Sequence, residues 1–129
     1  MSANLLSAKS LVDRYLRETP THLAAFSFVN IFVWQDFFKF QFEEIDGNLC
    51  IFASDKAGTF LYLPPLGKTI SCDTLKQCFA RMDTLNKGNG VTRIENVSEE
   101  QLGYFPSSDY KIYKKSYEYL YYRQDLVAL

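Results

Sequence analysis

Residues 36–67, DFFKFQFEEIDGNLCIFASDKAGTFLYLPPLG, constrain the fold of this chain more than any other stretch. Phenylalanines alternate with polar residues over 38–43, which is the period-two pattern of a strand with one buried face. An Asp-Gly-Asn turn at 46–48 and an apolar run at 49–52 predict a hairpin, and a further turn leads into a strand over 59–63. Two prolines end that strand because neither can donate to a ladder. We therefore predict a three-stranded antiparallel meander.

Two helices are predicted before the meander. Apolar residues at helical spacing indicate a first helix that ends before Pro20, because a residue preceding proline avoids the helical region. Thr21 fits the N-cap of a second helix from His22 to about Trp34. Apolar residues surround that second helix on almost every side, so we expect it to be largely buried.

The second half of the chain predicts further alternation of helices and strands. A third helix follows Gly67-Lys68-Thr69, with Ser71 or Asp73 at its start and Gly88 at its end. Later elements are a short strand at 91–94, a short helix opened by a Ser98/Gln101 capping box, strands over 110–114 and 117–122, and a helix starting at Asp125. The fold class is therefore mixed α/β (α+β).

We expect Phe79 of the third helix to be buried together with Phe40, Phe52 and Leu61.

Composition narrows the class of protein. A chain of 129 residues with 47% hydrophobic residues predicts one folded domain over 1–129. The formal net charge of −1 means that no whole-molecule field attracts nucleic acid or anionic lipid. The start of the chain lacks the features of a signal peptide, and no apolar run could span a bilayer. Cys50, Cys72 and Cys78 are an odd number, so we expect reduced, buried structural thiols in a cytoplasmic protein rather than disulfides or a zinc site.

Gly67 and Lys68 are the candidate binding residues. Gly67-Lys68-Thr69 matches the end of a phosphate-binding P-loop, but Tyr62 stands where the first glycine is needed and two prolines remove backbone donors. A strand followed by this loop and a helix start could still place backbone amides and Lys68 around an anion. An ordinary strand-to-helix turn uses the same geometry and is the commoner explanation.

Other candidate residues favour structural roles. His22 has no cysteine or serine partner at motif spacing, so an exposed or capping role is favoured over catalysis. Seven of the nine tyrosines lie between residues 104 and 122 beside lysines, a composition that suits either a stacking platform for single-stranded nucleic acid or cross-strand pairing. We favour pairing, because no nucleic-acid motif accompanies it. No catalytic residue, metal ligand or particular cofactor is identified, and Gly67 and Lys68 are the only residues predicted to bind a cofactor.

The order of elements resembles the acyltransferase fold of the GCN5-related N-acetyltransferase (GNAT) class. More specifically, the chain resembles the first half of a bacterial family of unknown function related to the C-terminal domain of phosphatidylglycerol lysyltransferases. The resemblance is carried by FVNIFVW at 28–34, YLPPLG at 62–67 and YEYLYYRQDLVAL at 117–129. Pro64-Pro65-Leu66-Gly67 stands where acetyl-CoA enzymes carry a glycine-rich loop, and no family catalytic residue matches a position here.

The resemblance implies an acyltransferase-like domain, related to acyl or aminoacyl transfer and inactive alone as the truncated first half of a tandem architecture. The alternative is a non-catalytic binding or dimerisation module. The acyl or aminoacyl donor is not identified by the residues. A half-molecule would expose the surface that its second unit covers, so we expect a homodimer formed through the aromatic C-terminal third, including Tyr119, Tyr121 and Leu126.

Overall fold

The computed structural model describes residues 8–19, 28–87, 92–115 and 118–123. Its helices are α1 (Lys9–Glu18), α2 (Phe28–Val33) and α3 (Cys72–Asn86), with 3₁₀ segments at Trp34–Asp36 and Glu99–Tyr104. Its strands are β1 (Lys39–Ile45), β2 (Asn48–Ser54), β3 (Thr59–Leu61), β4 (Ile94–Val97), β5 (Tyr110–Lys115) and β6 (Glu118–Arg123). The predicted His22, Thr21, Gly88 and Asp125 features lie outside the described residues.

The six strands form one mixed sheet in the order β1-β2-β3-β4-β6-β5. β1, β2 and β3 are the predicted antiparallel meander. β4 lies parallel to β3, and α3 makes the crossover that a parallel connection needs. β6 then pairs antiparallel with both β4 and β5. The mixed α+β class is confirmed, although a 3₁₀ segment and a hairpin follow β4 rather than repeated βα units.

The β1–β2 turn uses two of its three predicted residues. Asp46 and Gly47 have φ values of 48° and 80°, the left-handed pair that a two-residue hairpin turn requires. Asn48 instead begins β2 and is buried. The third turn residue of the prediction is therefore a residue of the core.

α3 has a clear signal at each end. The Ser71 hydroxyl accepts hydrogen bonds from the backbone N–H groups of Asp73 and Thr74 at 3.1 and 3.3 Å. Asp73 adds a negative charge to the first turn, where the helix dipole favours it. At the other end Lys87 takes the left-handed conformation, with φ of 52°, and its N–H donates to the backbone carbonyl of Asp83. Both predicted start residues thus contribute to α3.

Alternation along the strands divides the core between the two faces of the sheet. The first cluster lies under α1 and α2 and contains Val12, Tyr15, Ile31, Leu49, Ile51, Ala53, Phe60, Tyr62, Leu63 and Leu66. The second lies under α3 and contains Cys50, Phe52, Leu61, Ile70, Leu75, Cys78, Phe79, Met82, Ile94, Val97 and Phe105. The prediction that Phe40 joins Phe52, Leu61 and Phe79 is wrong for Phe40, which packs half-buried against the first cluster.

The prediction that the second helix is largely buried is wrong for the end of that helix that the structure describes. Ile31 is fully buried, but Val33 is 60% exposed and Trp34 is 40% exposed. The chain also changes from α2 to a 3₁₀ turn at Trp34, which turns these side chains away from the sheet. No helix within the described ranges combines the length and apolar character needed to cross a membrane.

Candidate functional site

The centre of the sheet is a seam between β3 and β4. These parallel strands pair at one position, Leu61 with Ile94, where the Leu61 N–H donates to the backbone carbonyl of Arg93 at 3.0 Å. Ligands of open α/β sheets bind at the carboxyl ends of parallel strands, where the chain connections diverge. The carboxyl end of this seam, and the segments that follow β3 and β4, are therefore the place to look for a site.

Asn86 replaces a strand partner at the amino end of the seam. Its side-chain oxygen accepts the Thr59 N–H at 2.7 Å, and its amide nitrogen donates to the Thr59 carbonyl at 2.8 Å. The same nitrogen donates to the Thr92 hydroxyl at 2.9 Å. One buried side chain at the end of α3 thus satisfies both backbone groups of the first β3 residue.

Asn96 bridges the carboxyl end of the seam. Its side-chain nitrogen donates to the Tyr62 carbonyl at 2.7 Å. Asn96 has a left-handed φ of 59° and lies at an irregularity of β4 between Ile94 and Val97. An asparagine tolerates this conformation better than most residues. The strands therefore separate after Leu61, and a side-chain amide holds them at that point.

Gly67 lies in the buried loop that joins β3 to α3. Its N–H donates to the Thr19 hydroxyl at 2.9 Å, and a Cβ atom placed on it would lie 2.8 Å from the Asn48 amide nitrogen. Its φ of 147° is also in the range that favours glycine. The N–H group considered for an anion is thus already bonded within the protein.

Asn48 organises the same loop. Its amide nitrogen donates to the carbonyls of Leu66 and Thr69 at 3.2 and 2.6 Å. Its oxygen accepts from the Ser71 N–H at 3.3 Å and the Thr74 hydroxyl at 3.1 Å. Sequence reasoning assigned Asn48 only to the turn. A polar residue directly after an Asp-Gly turn was the one available sign of this second role.

Lys68 is exposed beside this fixed loop. The loop, Gly67 included, is held by Thr19 and Asn48, and the first α3 amides are capped by Ser71. Any anion binding here would depend on the Lys68 ammonium more than on backbone amides. Gly67 and Lys68 therefore stay a predicted binding pair, with Lys68 as its accessible member.

A pocket of about 230 Å³ lies on the α3 side of the sheet. One wall is the first two turns of α3, and the other is the segment that follows β4. The lining residues are Cys72, Leu75, Lys76, Phe79, Tyr104, Pro106, Asp109 and Tyr110. An apolar floor with an ammonium, a carboxylate and a thiol suits a small ligand with a polar end, and the sequence did not indicate it.

The three cysteines differ in environment. Cys50 and Cys78 are fully buried, and the Cys78 thiol donates to the Cys50 sulfur at 3.4 Å. The hydrogen bond to Cys78 and burial raise the pKa of the Cys50 thiol far above its ordinary value. Cys72 is exposed at the first residue of α3, so its predicted burial is wrong. Within the described ranges, no cluster of three His, Cys, Asp or Glu side chains could hold a metal.

The tyrosine-rich region forms the predicted pair of strands. Backbone register places Lys114 opposite Tyr119 and Ile112 opposite Tyr121 across the β5–β6 hairpin. The two strands are adjacent, as the cross-strand interpretation requires.

His22 and the 124–129 tail lie outside the described residues. Comparison of the chain with protein-family models, curated proteins and solved structures finds no match.

Proposed function

We propose that this chain is an acyltransferase-like domain of the GNAT-like class that binds an acyl or aminoacyl donor beside the β3–β4 seam. The proposal rests on one observation above the others. An antiparallel meander is joined through a single crossover helix to a parallel strand, and the seam so formed opens after one paired position. In open α/β sheets, ligands bind at the carboxyl ends of parallel strands, where the chain connections diverge.

Two separate features support a donor with an anionic end and an apolar body. Lys68 is exposed on the loop that leaves β3, where a phosphate or carboxylate could approach. The pocket between α3 and the 104–110 segment has aromatic walls in Phe79, Tyr104 and Tyr110. These residues would bind and orient a donor, and none of them is assigned a chemical step.

The experiment is a thermal-shift titration of the purified chain with acetyl-CoA, aminoacyl-tRNA and inorganic pyrophosphate. We expect a saturable rise in melting temperature with at least one donor, and Lys68→Glu should remove it by placing like charges together. Lys56→Glu is the matched control, because Lys56 is an exposed lysine in the turn before β3, at its opposite end. A wild-type chain that no donor stabilises would overturn the proposal.

The alternative function is a non-catalytic binding module. Val33, Trp34 and Phe37 are 60, 40 and 66% exposed, and the Trp34 and Phe37 rings lie 5.2 Å apart. Contiguous exposed apolar side chains are typical of interaction surfaces. Failure of every donor, together with concentration-dependent association, would favour this alternative.

A further inference from the structure

β1 is an outer strand of the sheet. All seven of its residues pair with β2 on one side, from Lys39 with Ser54 to Ile45 with Asn48. On its other side, no strand in the described part of the chain pairs with it. The strand contains no proline, glycine or bulge of the kind that blocks edge pairing. Outward-pointing backbone groups of such a strand form a template for another strand.

We infer that β1 pairs antiparallel with β1 of a second copy, about a two-fold axis through Gln41. With Gln41 opposite its own equivalent, Lys39 lies opposite Glu43 of the second copy, and the symmetry repeats this pair. Phe40 then lies opposite Phe42. Directly opposite residues interact most strongly across strands, so this register matches cation with anion and ring with ring.

The register is selected by the sequence of β1. Moving the strands by two residues in one direction places Lys39 opposite Ile45, and in the other direction it places Glu43 opposite Phe37. Either shift loses the charge match. In the proposed register half-exposed Ile45 of the second copy lies at the end of β1 where Phe37, which is 66% exposed, precedes the strand. The exposed apolar ring at the start of β1 thus has an apolar neighbour.

The surroundings of β1 keep these side chains available. Lys39 is exposed, and the Glu43 side chain is 35% exposed although it forms an ion pair with Arg81 of α3. On the other face Phe40 packs edge-to-face on Tyr62 at 5.3 Å, so its ring is held in place along the strand. A second copy is favoured over a foreign strand because the edge complements itself under two-fold symmetry.

Sedimentation velocity across the micromolar range tests the inference on the complete chain without any donor. We expect wild type to dimerise and Lys39→Glu to weaken the dimer by about tenfold or more, because each of two symmetric pairs becomes repulsive. Glu43→Lys should do the same, and an equal mixture of the two variants should restore a dimer. Lys56→Glu should leave the dissociation constant unchanged.

A second measurement covers the case in which Glu43→Lys fails to fold after losing Arg81. Added salt should weaken the wild-type dimer and strengthen any Lys39→Glu dimer, because screening acts oppositely on attractive and repulsive pairs. A wild-type chain that stays monomeric overturns the inference. A dimer that Lys39→Glu leaves unchanged also overturns it, and deletion of 124–129 then tests association through the C-terminal third.

Discussion

The two faces of the sheet are built by different means. Under α3, a 15-residue helix with a cap at each end covers side chains that are almost completely buried, among them Cys78, Phe79 and Met82. Under α1 and α2, the edge strand contributes half-buried rings, with Phe38 on Phe60 and Phe40 on Tyr62 at 5.3 Å. The long capped helix buries its own aromatic ring, Phe79, whereas the shorter helical segments leave the rings of β1 half-buried at the rim.

The polar contacts to the strands also differ between the two faces of the sheet. Buried Asn48 and Asn86 hold the loop before α3 and the start of β3, at the two ends of the α3 face. On the other face the bond from the Gly67 N–H to the Thr19 hydroxyl is buried, but the contact to β1 lies at the rim, where the Tyr15 hydroxyl donates to Glu44 at 2.6 Å. Removing the Asn48 or Asn86 side chain should be costly, because the change leaves buried backbone groups without hydrogen-bond partners.

The largest effect on stability should come from the α3 face. Phe79→Ala is expected to lower the free energy of unfolding by about 3–5 kcal/mol, as cavity-forming changes of buried aromatics do. Phe40→Ala on the rim face should cost about 1–2 kcal/mol, because part of that ring is already in water. Chemical denaturation measures both. Equal losses would show that the two faces do not differ.

The middle effect should come from the start of β3. Asn86→Ala should cost about 2–3 kcal/mol, because it leaves both backbone groups of Thr59 buried without their partner. Thr84→Ala is the control, since the Thr84 hydroxyl bonds only to its own helix at an exposed position. Equilibrium unfolding of Asn86→Ala within about 0.5 kcal/mol of this control would contradict the role given to Asn86.

The smallest effect should come from the rim contact. Tyr15→Phe should cost about 1 kcal/mol at neutral pH, the usual net value of one hydrogen bond. The hydrogen bond to the Glu44 carboxylate, and then burial, raise the pKa of Tyr15 above 10. Since the folded state holds this proton more tightly, its stabilisation is complete below about pH 10 and is lost as the pH rises towards the folded pKa.

Unfolding measured against pH checks that sign. The difference between wild type and Tyr15→Phe should shrink above about pH 10. Glu44→Gln should lack this alkaline loss, because the carboxylate charge that holds the proton is gone. A difference that grows with pH would contradict the assignment.

Local patterns were sufficient for several elements of the fold, but the strand predicted at 91–94 is β4 at Ile94–Val97. The meander, the α3 start at Ser71 and the short helix after Ser98 depend on neighbours in sequence, and each is present. In that short helix the Ser98 N–H donates to the Gln101 side chain, as a capping box requires. The register of β1 against β2 could not be predicted from local patterns. Phe52 pairs with Gln41, so Phe40 lies on the opposite face, and alternation alone could not distinguish these arrangements.

The candidate site was the part that sequence could not supply. Lys68 was identified because it follows a strand and precedes a helix. The roles of Asn48, Asn86 and Asn96 were missed because their backbone partners lie 18 to 34 residues away along the chain. The pocket joins α3 to a segment about 30 residues later, and only the tertiary arrangement brings Lys76 and Asp109 to one cavity.

The single pairing between β3 and β4 also bears on how the chain folds. Within the meander each strand meets its neighbour across a short turn, so little chain entropy is lost in closing those contacts. Leu61 and Ile94 are 33 residues apart, and the helix between them must be placed before they meet. Contacts of such separation are slow to form because the loop closes before other contacts compensate. We therefore expect the locally closed contacts to form first, and the joining of β3 to β4 at this one pairing to be the entropically expensive step.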